Sequence, residues 1–566
     1  MYTRIFPLAL LLCVQQVNAQ TTPTDNPYHY TIQKQLNVRH GAVVSAHPLA
    51  SAAGLQMLRA GGNAVDAAIS TQLALAVVFP LAGNLGGGGF LVGHLKNGQQ
   101  LAIDYREAAP AAASRNMYLD SSGNAITTLS QDGHLAAGIP GTVAGLYASL
   151  RYGKLKMGQL IAPAIALAEK GFVITQLEAD NLNRYRESFL KLNTMPTAFV
   201  RDRPWKAGDT LVQPDLARTL QRIADKGMAG FYEGETASLI VAEMQRGHGI
   251  ITAQDLRQYR AKERKAMTFP YRGYTIVTMP LPSSGGILLR QLLGMVEKYP
   301  LAKWGFHSPA AMQLMIEAER RAYADRAEYM GDADFVKVPV KALTNPAYIS
   351  NRMKDYTPDK AGSSEQVKAG TWPESEETTH LSVMDAEGNA VSVTTTLNGV
   401  YGSRVVVGKA GFILNNEMDD FSIKPGVPNM YGLVGAEANA IAPGKRMLSS
   451  MTPTIVLKGK QPVIVAGTPG GSTIITSVFQ TVVNLLDFGL STDEAVNSPK
   501  FHHQWLPDEV YIEPSFPAEP VAALEKMGYK MKSRAAIGRT EVIRRNGKGE
   551  LEAVGDHRGD DSAAGY

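Results

Sequence analysis

The chain has 566 residues, of which 45% are hydrophobic and 19% charged, and its formal net charge is +4. This composition is typical of a large globular protein with ample core material, built from two or more packed units. The small net charge argues against a nucleic-acid partner, and beyond residue 20 no apolar run is long enough to span a membrane.

The first 19 residues have the pattern of a cleavable secretory signal. Arg4 supplies a positive charge, residues 5–14 an apolar core, and residues 17–19 a small-residue cleavage site. Cys13, the single cysteine, lies inside this segment, so we expect the mature chain to form no disulfide. Because a cysteine-free chain suits an oxidising compartment, we predict a periplasmic location.

The mature chain begins with a polar stretch, residues 20–40, that is expected to be irregular. Residues 41–46 have the apolar pattern of a strand. A helix is predicted over residues 48–59, because proline suits the first helical position. A second helix is predicted over residues 64–78, where Asn63 can cap the first turn. This second helix is so apolar that it is expected to be buried on most sides.

A glycine-rich stretch, residues 83–90, predicts a backbone that turns tightly or packs closely against another segment. It lacks the sequence of a phosphate-binding loop, so we favour packing around an active site. The next predicted strand, residues 101–107, ends in charged residues. Among them, Arg106 either lies at the surface or binds a carboxylate, and sequence alone favours the surface.

Helical patterns dominate as far as about residue 244, and the longest amphipathic helix is predicted over residues 309–329. Residues 355–377 are polar and irregular, which makes them the best internal boundary. Thr378 stands where this acidic segment becomes a strand. On these residues alone, a strand that happens to begin with Thr-Thr is the simpler interpretation.

Further on, a strand over residues 463–466 leads into a Gly-Gly turn and a predicted helix that starts at Thr473. Backbone N–H groups at such a helix start can bind an anion or a developing oxyanion. Each of these motifs is weak alone, because such glycines more often serve a turn.

Taken together, the motifs resemble the γ-glutamyltransferases (γ-glutamyl transpeptidases), in the order of that family and over nearly the whole mature chain. The main matching runs are Glu377-Thr378-Thr379-His380, Thr396-Leu397-Asn398, Asn415-Asn416-Glu417-Met418-Asp419-Asp420-Phe421, Pro425-Gly426-Val427-Pro428-Asn429, Leu448-Ser449-Ser450-Met451 and Gly467-Thr468-Pro469-Gly470-Gly471-Ser472. Residues 83–90, 104–110, 282–286 and 501–507 fit as well.

The resemblance implies an α+β fold, the αββα four-layer sandwich of N-terminal nucleophile hydrolases, formed jointly by two chains from one precursor. It implies self-cleavage between Glu377 and Thr378. The products would be a large subunit, residues 20–377, and a small subunit, residues 378–566, which stay associated as a heterodimer.

The resemblance also implies roles for individual residues. Thr378 would be the nucleophile, supported by Thr396, and Gly470 and Gly471 would form the oxyanion hole. The substrate-binding residues implied are Arg106, Ser449 and Ser450 for the α-carboxylate, Asn398, Glu417 and Asp420 for the α-ammonium, and Tyr431 in a lid loop. The implied donors are glutathione and related γ-glutamyl compounds, and the acceptors are water, amino acids or peptides, with no cofactor and no metal.

Three points remain open at the level of sequence. The family accepts Glu, Gln or Asn at the position of Glu417, so the effect of this residue on donor choice is undecided. His380, His502 and His503 invite a metal or general-base interpretation, but no clean ligand set accompanies them, so we expect structural roles. A glutaryl or cephalosporin amidase of the same fold is the main alternative, and a non-enzymatic periplasmic binding protein is the other. The acids at 417 and 420, together with Arg106, favour γ-glutamyl transfer over the amidase. A binding protein comes last, because it would have no use for Thr378 behind a cleavable acidic loop.

Overall fold

A computed structural model of the chain describes residues 26–367 and 378–566. The predicted signal, residues 1–19, and Glu377, which precedes the predicted cleavage point, lie outside the described residues.

Strands are distributed over both described parts. In chain order they are β1 (Gln35–Val38), β2 (Ala42–Ser45), β3 (Gly88–His94), β4 (Gln100–Asp104), β5 (Phe172–Val173), β6 (Thr210–Leu211), β7 (Lys262–Glu263), β8 (Met267–Tyr271), β9 (Tyr274–Thr278), β10 (Thr379–Met384), β11 (Ala390–Thr396), β12 (Thr454–Lys458), β13 (Gln461–Gly467), β14 (Phe501–His502), β15 (Val510–Ile512), β16 (Met531–Ser533), β17 (Glu541–Arg545), β18 (Leu551–Val554) and β19 (Ser562–Gly565).

Helices fall mainly in the first described part. In chain order they are α1 (Pro48–Arg59), α2 (Ala64–Val78), α3 (Thr128–Gln131), α4 (Thr142–Leu150), α5 (Met157–Lys170), α6 (Gln176–Arg184), α7 (Arg186–Leu192), α8 (Pro214–Lys226), α9 (Ala229–Tyr232), α10 (Gly234–Arg246), α11 (Ala253–Gln258), α12 (Gly285–Val296), α13 (Leu301–Trp304), α14 (Pro309–Tyr329), α15 (Val340–Leu343), α16 (Pro346–Arg352), α17 (Thr473–Leu486), α18 (Thr492–Asn497) and α19 (Ala518–Lys526). Short 3₁₀ turns occur at His134–Ala136, Glu417–Asp420 and Glu437–Asn439.

Two seven-stranded sheets form the centre of the molecule. One has the strand order β19-β2-β10-β11-β3-β4-β7 and the other β1-β18-β17-β13-β12-β9-β8. Side chains such as Val44 and Val92 from the first sheet pack against Val277, Ile455 and Val465 from the second. The two sheets therefore lie face to face over a shared apolar core.

A helical layer covers the outer face of each sheet. Helices α1, α2 and α5 belong to the core on the side of the first sheet, which also includes Leu91 and Leu381. Helices α12, α14 and α17 belong to the core on the other side, with Ile276 and Val456 of the second sheet. The predicted four-layer αββα sandwich is confirmed.

Both sheets combine strands from either side of residues 368–377. Strand β10, which begins at Thr379, pairs antiparallel with β2 on one side and with β11 on the other. Strand β11 in turn pairs with β3, so Thr396 lies opposite Gly88. A chain divided between these parts would still share both sheets, which is a physical reason for two subunits to stay associated.

Most local predictions are confirmed, and one is wrong. Helices α1, α2 and α14 have the predicted bounds, and the Asn63 side chain caps α2 as expected. The prediction that residues 20–40 are irregular is wrong for β1, which pairs with β18, more than 500 residues away. β1 is a half-exposed edge strand, and its pairing partner leaves no signal in the local sequence. Among the described residues, no helix is both long and apolar enough to cross a membrane.

Candidate functional site

Thr378 and Thr396 meet at the ends of neighbouring strands. Thr378 immediately precedes β10, Thr396 ends β11, and their Oγ1 atoms are 3.5 Å apart. Both side chains are buried. The Thr396 hydroxyl oxygen also accepts a hydrogen bond of 2.7 Å from the backbone N–H of Asn398. Since that bond fixes Thr396, its hydroxyl is held in a position to support the hydroxyl of Thr378.

The glycine-rich stretch packs closely against Thr396, as expected for a backbone that approaches another segment. A Cβ atom on Gly87 would overlap the backbone carbonyl oxygen of Thr396. A Cβ on Gly88 would lie 2.7 Å from Oε2 of Glu107. Side chains at these two positions would collide with Thr396 and Glu107. The glycines therefore allow β3 to pair closely with β11, the strand that ends at Thr396.

One cavity gathers most of the predicted site. Its walls include Arg106, Thr378, Thr396, Asn398, Glu417, Asp420, Tyr431, Ser449, Ser450 and Gly471. Its free volume is about 10 Å³, which is space for about one water molecule. The polar and charged groups of the predicted site therefore lie close together around one small space.

Arg106 is buried, so the surface interpretation favoured by the sequence alone is wrong. Its guanidinium donates hydrogen bonds to carboxylate oxygens of Glu417 and Asp420, and Glu107 lies 3.7 Å away. Weaker bonds of 3.4 Å reach the backbone carbonyl oxygens of Met447 and Leu448. One cation thus faces three carboxylates in a buried cluster.

Burial and charge act in opposite directions within this cluster. Burial lowers the pKa of Arg106, but Glu417, Asp420 and Glu107 outweigh it and raise that pKa. Burial raises the pKa of Glu417 well above its usual range and also raises the pKa of Asp420, against the opposing effect of Arg106. For Glu107, burial raises the pKa to about 7. Neither carboxylate oxygen of Glu107 has a hydrogen-bond partner among the described residues.

The raised pKa of Glu107 predicts a pH-dependent stability. Because the folded protein holds this proton up to a pH of about 7 and the unfolded chain releases it near 4.5, stability falls as pH rises between these values. From pH 5 to pH 8 we expect wild type to lose about 1–3 kcal/mol relative to Glu107→Gln, which cannot ionise. The measurement is the difference in thermal midpoint across that pH range, with the exposed Glu187→Gln as control. Parallel profiles for wild type and Glu107→Gln would contradict the assignment.

Asn398 and Tyr431 close one side of the cavity. Asn398 has a backbone φ of +74°, a left-handed conformation that Asn tolerates better than most residues. Its side-chain N–H groups donate to the carbonyl oxygen of Asn416 and to Sδ of Met430, which leaves its amide oxygen available to a ligand cation. The Tyr431 hydroxyl donates to the backbone carbonyl oxygen of Asn398, so this bond ties the loop that carries Tyr431 to the cavity wall.

Gly470 and Gly471 form the turn between β13 and α17. Both have positive φ angles, +135° and +52°, and a side chain on Gly471 would overlap the ring of Tyr431. Among the described residues, neither amide N–H group donates a hydrogen bond. Gly471 lines the cavity directly, whereas Gly470 does not. Within the described parts of the chain, the turn thus has two N–H groups without a hydrogen-bond partner at a helix start, and Gly471 belongs to the wall of the Thr378 cavity.

Sequence reasoning missed a second buried arginine behind the serine pair. Arg326, on α14, donates to Oγ of Ser450 at 3.2 Å and to Oγ of Ser284 at 3.0 Å. The Ser284 hydroxyl in turn donates to the carbonyl oxygen of Ser449. Burial lowers the pKa of Arg326, and no carboxylate of the described residues lies within ion-pair distance. A run of charged residues on an otherwise buried helix was the available signal for it.

The three histidines are buried and engaged by neighbouring polar groups. His380 lies 2.9 Å from the hydroxyl of Thr394 and 3.1 Å from that of Ser382, and burial lowers its pKa to about 3. Burial likewise lowers the pKa of His502 and of His503 to about 4. Such neutral, hydrogen-bonded imidazoles agree with structural roles. Within residues 26–367 and 378–566, no cluster of side chains is suited to hold a metal ion.

The chain shares sequence with characterised proteins over its whole length. A profile of the family described as Gamma-glutamyltranspeptidase matches residues 50–566. The glutathione hydrolase proenzyme of Escherichia coli (strain K12) is 46% identical over 575 residues, which cover 100% of this chain and 99% of that protein.

Solved structures give the same result. The cephalosporin acylase of Bacillus halodurans superposes with a TM-score of 0.83 at 25% identity, over 97% of this chain and 99% of that one. The γ-glutamyltranspeptidase of Helicobacter pylori superposes with a TM-score of 0.57 at 47% identity, over 60% of this chain and 97% of that one. The sequence identity is thus much higher to the transpeptidase than to the acylase. The chain belongs to the γ-glutamyltranspeptidase family.

Proposed function

We propose that this protein cleaves itself before Thr378 and then hydrolyses or transfers the γ-glutamyl group of glutathione and related compounds. The observation that carries the proposal is the composition of the Thr378 cavity. It combines a hydroxyl with one buried guanidinium and two carboxylates, Glu417 and Asp420. This set is complementary to the α-carboxylate and α-ammonium of a γ-glutamyl group.

Binding of the donor replaces ion pairs that already exist in the cavity. In the unliganded protein, Arg106 is bonded to Glu417 and Asp420. We infer that the donor carboxylate pairs with the guanidinium of Arg106 in place of the two acids. The donor ammonium then binds these two acids and the amide oxygen of Asn398. Each buried charge then keeps a partner, so the exchange avoids the large cost of an unpaired buried ion.

The serine pair completes the carboxylate side. Ser449 and Ser450 line the same cavity, and Arg326 lies behind Ser450 at hydrogen-bond distance. We assign Arg326 as a positioning residue. Its bond to Ser450 leaves the proton of that hydroxyl available to an anion. Its bond to Ser284, whose hydroxyl donates to the carbonyl oxygen of Ser449, helps to hold the serine pair in place. The charge of Arg326 adds to that of Arg106.

Self-cleavage supplies both the nucleophile and its base. A threonine hydroxyl is a weak nucleophile at its own pKa and needs an adjacent base. Cleavage between Glu377 and Thr378 would release an α-amino group on the same residue, and such a group titrates near ~7.7–8.0, close to the working pH. This amine accepts the proton of the Thr378 hydroxyl. The hydroxyl of Thr396, whose Oγ1 lies 3.5 Å from Oγ1 of Thr378, supports the attacking oxygen.

The reaction then follows two acyl-transfer steps. Thr378 Oγ1 attacks the γ-amide carbonyl, and the negative charge that develops on the carbonyl oxygen is stabilised by the N–H groups of Gly470 and Gly471. The amine leaves with the proton held by the Thr378 amino group, and a γ-glutamyl ester remains. Water attacks the ester to release glutamate, or an amino acid or peptide amine attacks to form a new γ-glutamyl amide.

Further parts of the proposal concern the lid, the partners and the location. Tyr431 covers the cavity, and release of its bond to Asn398 would admit substrate. The large subunit, residues 20–377, and the small subunit, residues 378–566, act as a heterodimer without cofactor. The signal pattern of residues 1–19 supports export to the periplasm.

A glutaryl amidase is the second candidate, because the cephalosporin acylase of Bacillus halodurans has the same fold. A glutaryl group lacks the α-ammonium, so the two candidates differ in their need for Asp420. We expect Asp420→Asn to lower kcat/KM for a γ-glutamyl anilide by about 30-fold or more, because a buried charge partner is lost. The loss for glutaryl anilide should be about tenfold less. Steady-state rates with both donors, which share one leaving group, give the comparison.

Two results would count against the proposal. An equal loss on both donors would remove the ammonium role of Asp420. A wild-type protein that prefers glutaryl anilide over γ-glutamyl anilide would favour the amidase.

A further inference from the structure

A second cleft lies between the edge strand β8, helix α12 and the segment around α15. Its volume is about 670 Å³, within the range of small-molecule sites. The apolar residues Phe269, Leu281 and Ile287 contribute to its wall. No residue that lines it also lines the Thr378 cavity. The cleft is therefore separate from the site that carries the proposed function.

Arg290 is the unusual member of this cleft. Its side chain lines the wall and lies over the ring of Phe269, with Cζ 5.5 Å from the ring centroid, yet the residue is only 9% exposed. Within the described parts of the chain, its guanidinium forms no ion pair and no hydrogen bond. Burial lowers the pKa of Arg290, against a weaker effect of Glu297. None of its nitrogens is among the fully buried atoms without a partner, so the guanidinium can be reached from the cleft. A bound anion could accept charge-assisted hydrogen bonds from it.

The other charges of the cleft do not neutralise Arg290. Arg264 is already paired with Asp104 and Asp334, and Lys265 adds a further positive charge. The carboxylate of Glu263 is engaged by Arg151. The cleft thus keeps an excess of positive charge beside an apolar wall.

We propose that this cleft binds an organic monoanion with an unbranched apolar tail, such as a medium-chain fatty acid, whose carboxylate pairs with Arg290. A planar guanidinium matches a carboxylate, and its one uncommitted charge matches one anionic group. A peptide that adds to the free edge of β8 fits less well, because Pro270 in that strand has no N–H group to donate.

The test is calorimetric titration of the purified, processed protein with decanoate, decanol and acetate. We expect one decanoate per chain, bound about tenfold or more tighter than either decanol or acetate, because only decanoate has both the charge and the tail. Arg290→Gln should weaken decanoate binding about tenfold or more and leave decanol binding unchanged. Lys265→Gln, the matched control for a cation at the same cleft, should change decanoate binding by less than about threefold.

Two control measurements distinguish a loss of binding from a loss of folding. Arg290→Gln is expected to retain wild-type γ-glutamyl hydrolysis, which verifies that it folds, and the three-ligand comparison in wild type needs no variant. The proposal is overturned if wild type shows no saturable decanoate binding up to about 1 mM. It is also overturned if Arg290→Gln binds decanoate like wild type, or if decanoate binding depends on Arg106, which would place the anion in the Thr378 cavity. Failure of this test leaves the proposed γ-glutamyl chemistry untouched, since the two sites share no residue.

Discussion

Thr378→Ala should remain a single uncleaved chain and should lose γ-glutamyl hydrolysis by about 10⁴-fold or more, since loss of a nucleophile has cost about 10⁶-fold in a serine protease. Two effects combine in this variant. The hydroxyl that would attack the preceding peptide bond is absent, and no α-amino group at residue 378 is released to act as base. Denaturing electrophoresis and N-terminal sequencing measure the cleavage, and release of the aniline from a γ-glutamyl anilide measures the activity. The wild-type protein should give a smaller fragment that begins Thr-Thr-His.

The neighbouring residue provides a matched control. Thr379 is buried like Thr378, but its hydroxyl has no hydrogen-bond partner among the described residues. Thr379→Val puts a methyl group of similar size in place of that hydroxyl. Because the hydroxyl has no described partner to lose, the variant should be processed and should keep activity within about threefold. A Thr378→Ala protein that is cleaved and active would contradict the nucleophile assignment. An uncleaved wild-type protein would contradict the whole mechanism.

Local chemistry explains which elements could be predicted from the sequence. Pro48, Asn63 and Ser308 are strong helix-start signals, and the helices that follow them have the predicted bounds. Strand β1 carries no such signal, because its stability comes from backbone pairing with β18 at the far end of the chain. Signals within a few residues were therefore readable, and pairing across hundreds of residues was not.

The candidate site shows the same division. The ordered motifs identified Arg106, Glu417 and Asp420 as members of one site, although more than 300 residues separate Arg106 from the two acids. The motifs did not indicate that the three side chains bind one another in the unliganded protein, nor that Glu107 is buried beside them. Nor did they indicate Arg326. It contacts Ser284 and Ser450, and the three residues lie on segments that are far apart in the sequence. Which residues belong to the site was predictable, whereas their pairing depends on tertiary packing.

Arg106→Gln should raise KM for γ-glutamyl donors by about 10²–10⁴-fold, because removal of one partner from a buried ion pair costs about 3–5 kcal/mol. The fork of Arg106 is the group that we expect to bind the donor carboxylate, and the same change leaves Glu417 and Asp420 without their cation. Since the carboxylate lies away from the reacting carbonyl, the loss should appear mainly in KM and less in kcat. Steady-state kinetics with a γ-glutamyl anilide measure both.

A donor without the carboxylate separates recognition from general damage to the site. The 4-aminobutyryl anilide keeps the ammonium and the scissile amide but has no α-carboxylate, so Arg106→Gln should affect its KM by less than about tenfold. Arg106→Lys keeps the charge but loses the planar fork, and it should fall between wild type and Arg106→Gln with the γ-glutamyl donor. Arg115→Gln, which removes a more exposed arginine paired with Glu437, should change KM by less than about twofold. Equal losses on the two donors would mean that Arg106 acts only by holding Glu417 and Asp420 in place. The donor carboxylate would then need another cation as its partner, and Arg326, which lies behind Ser450, is the next candidate.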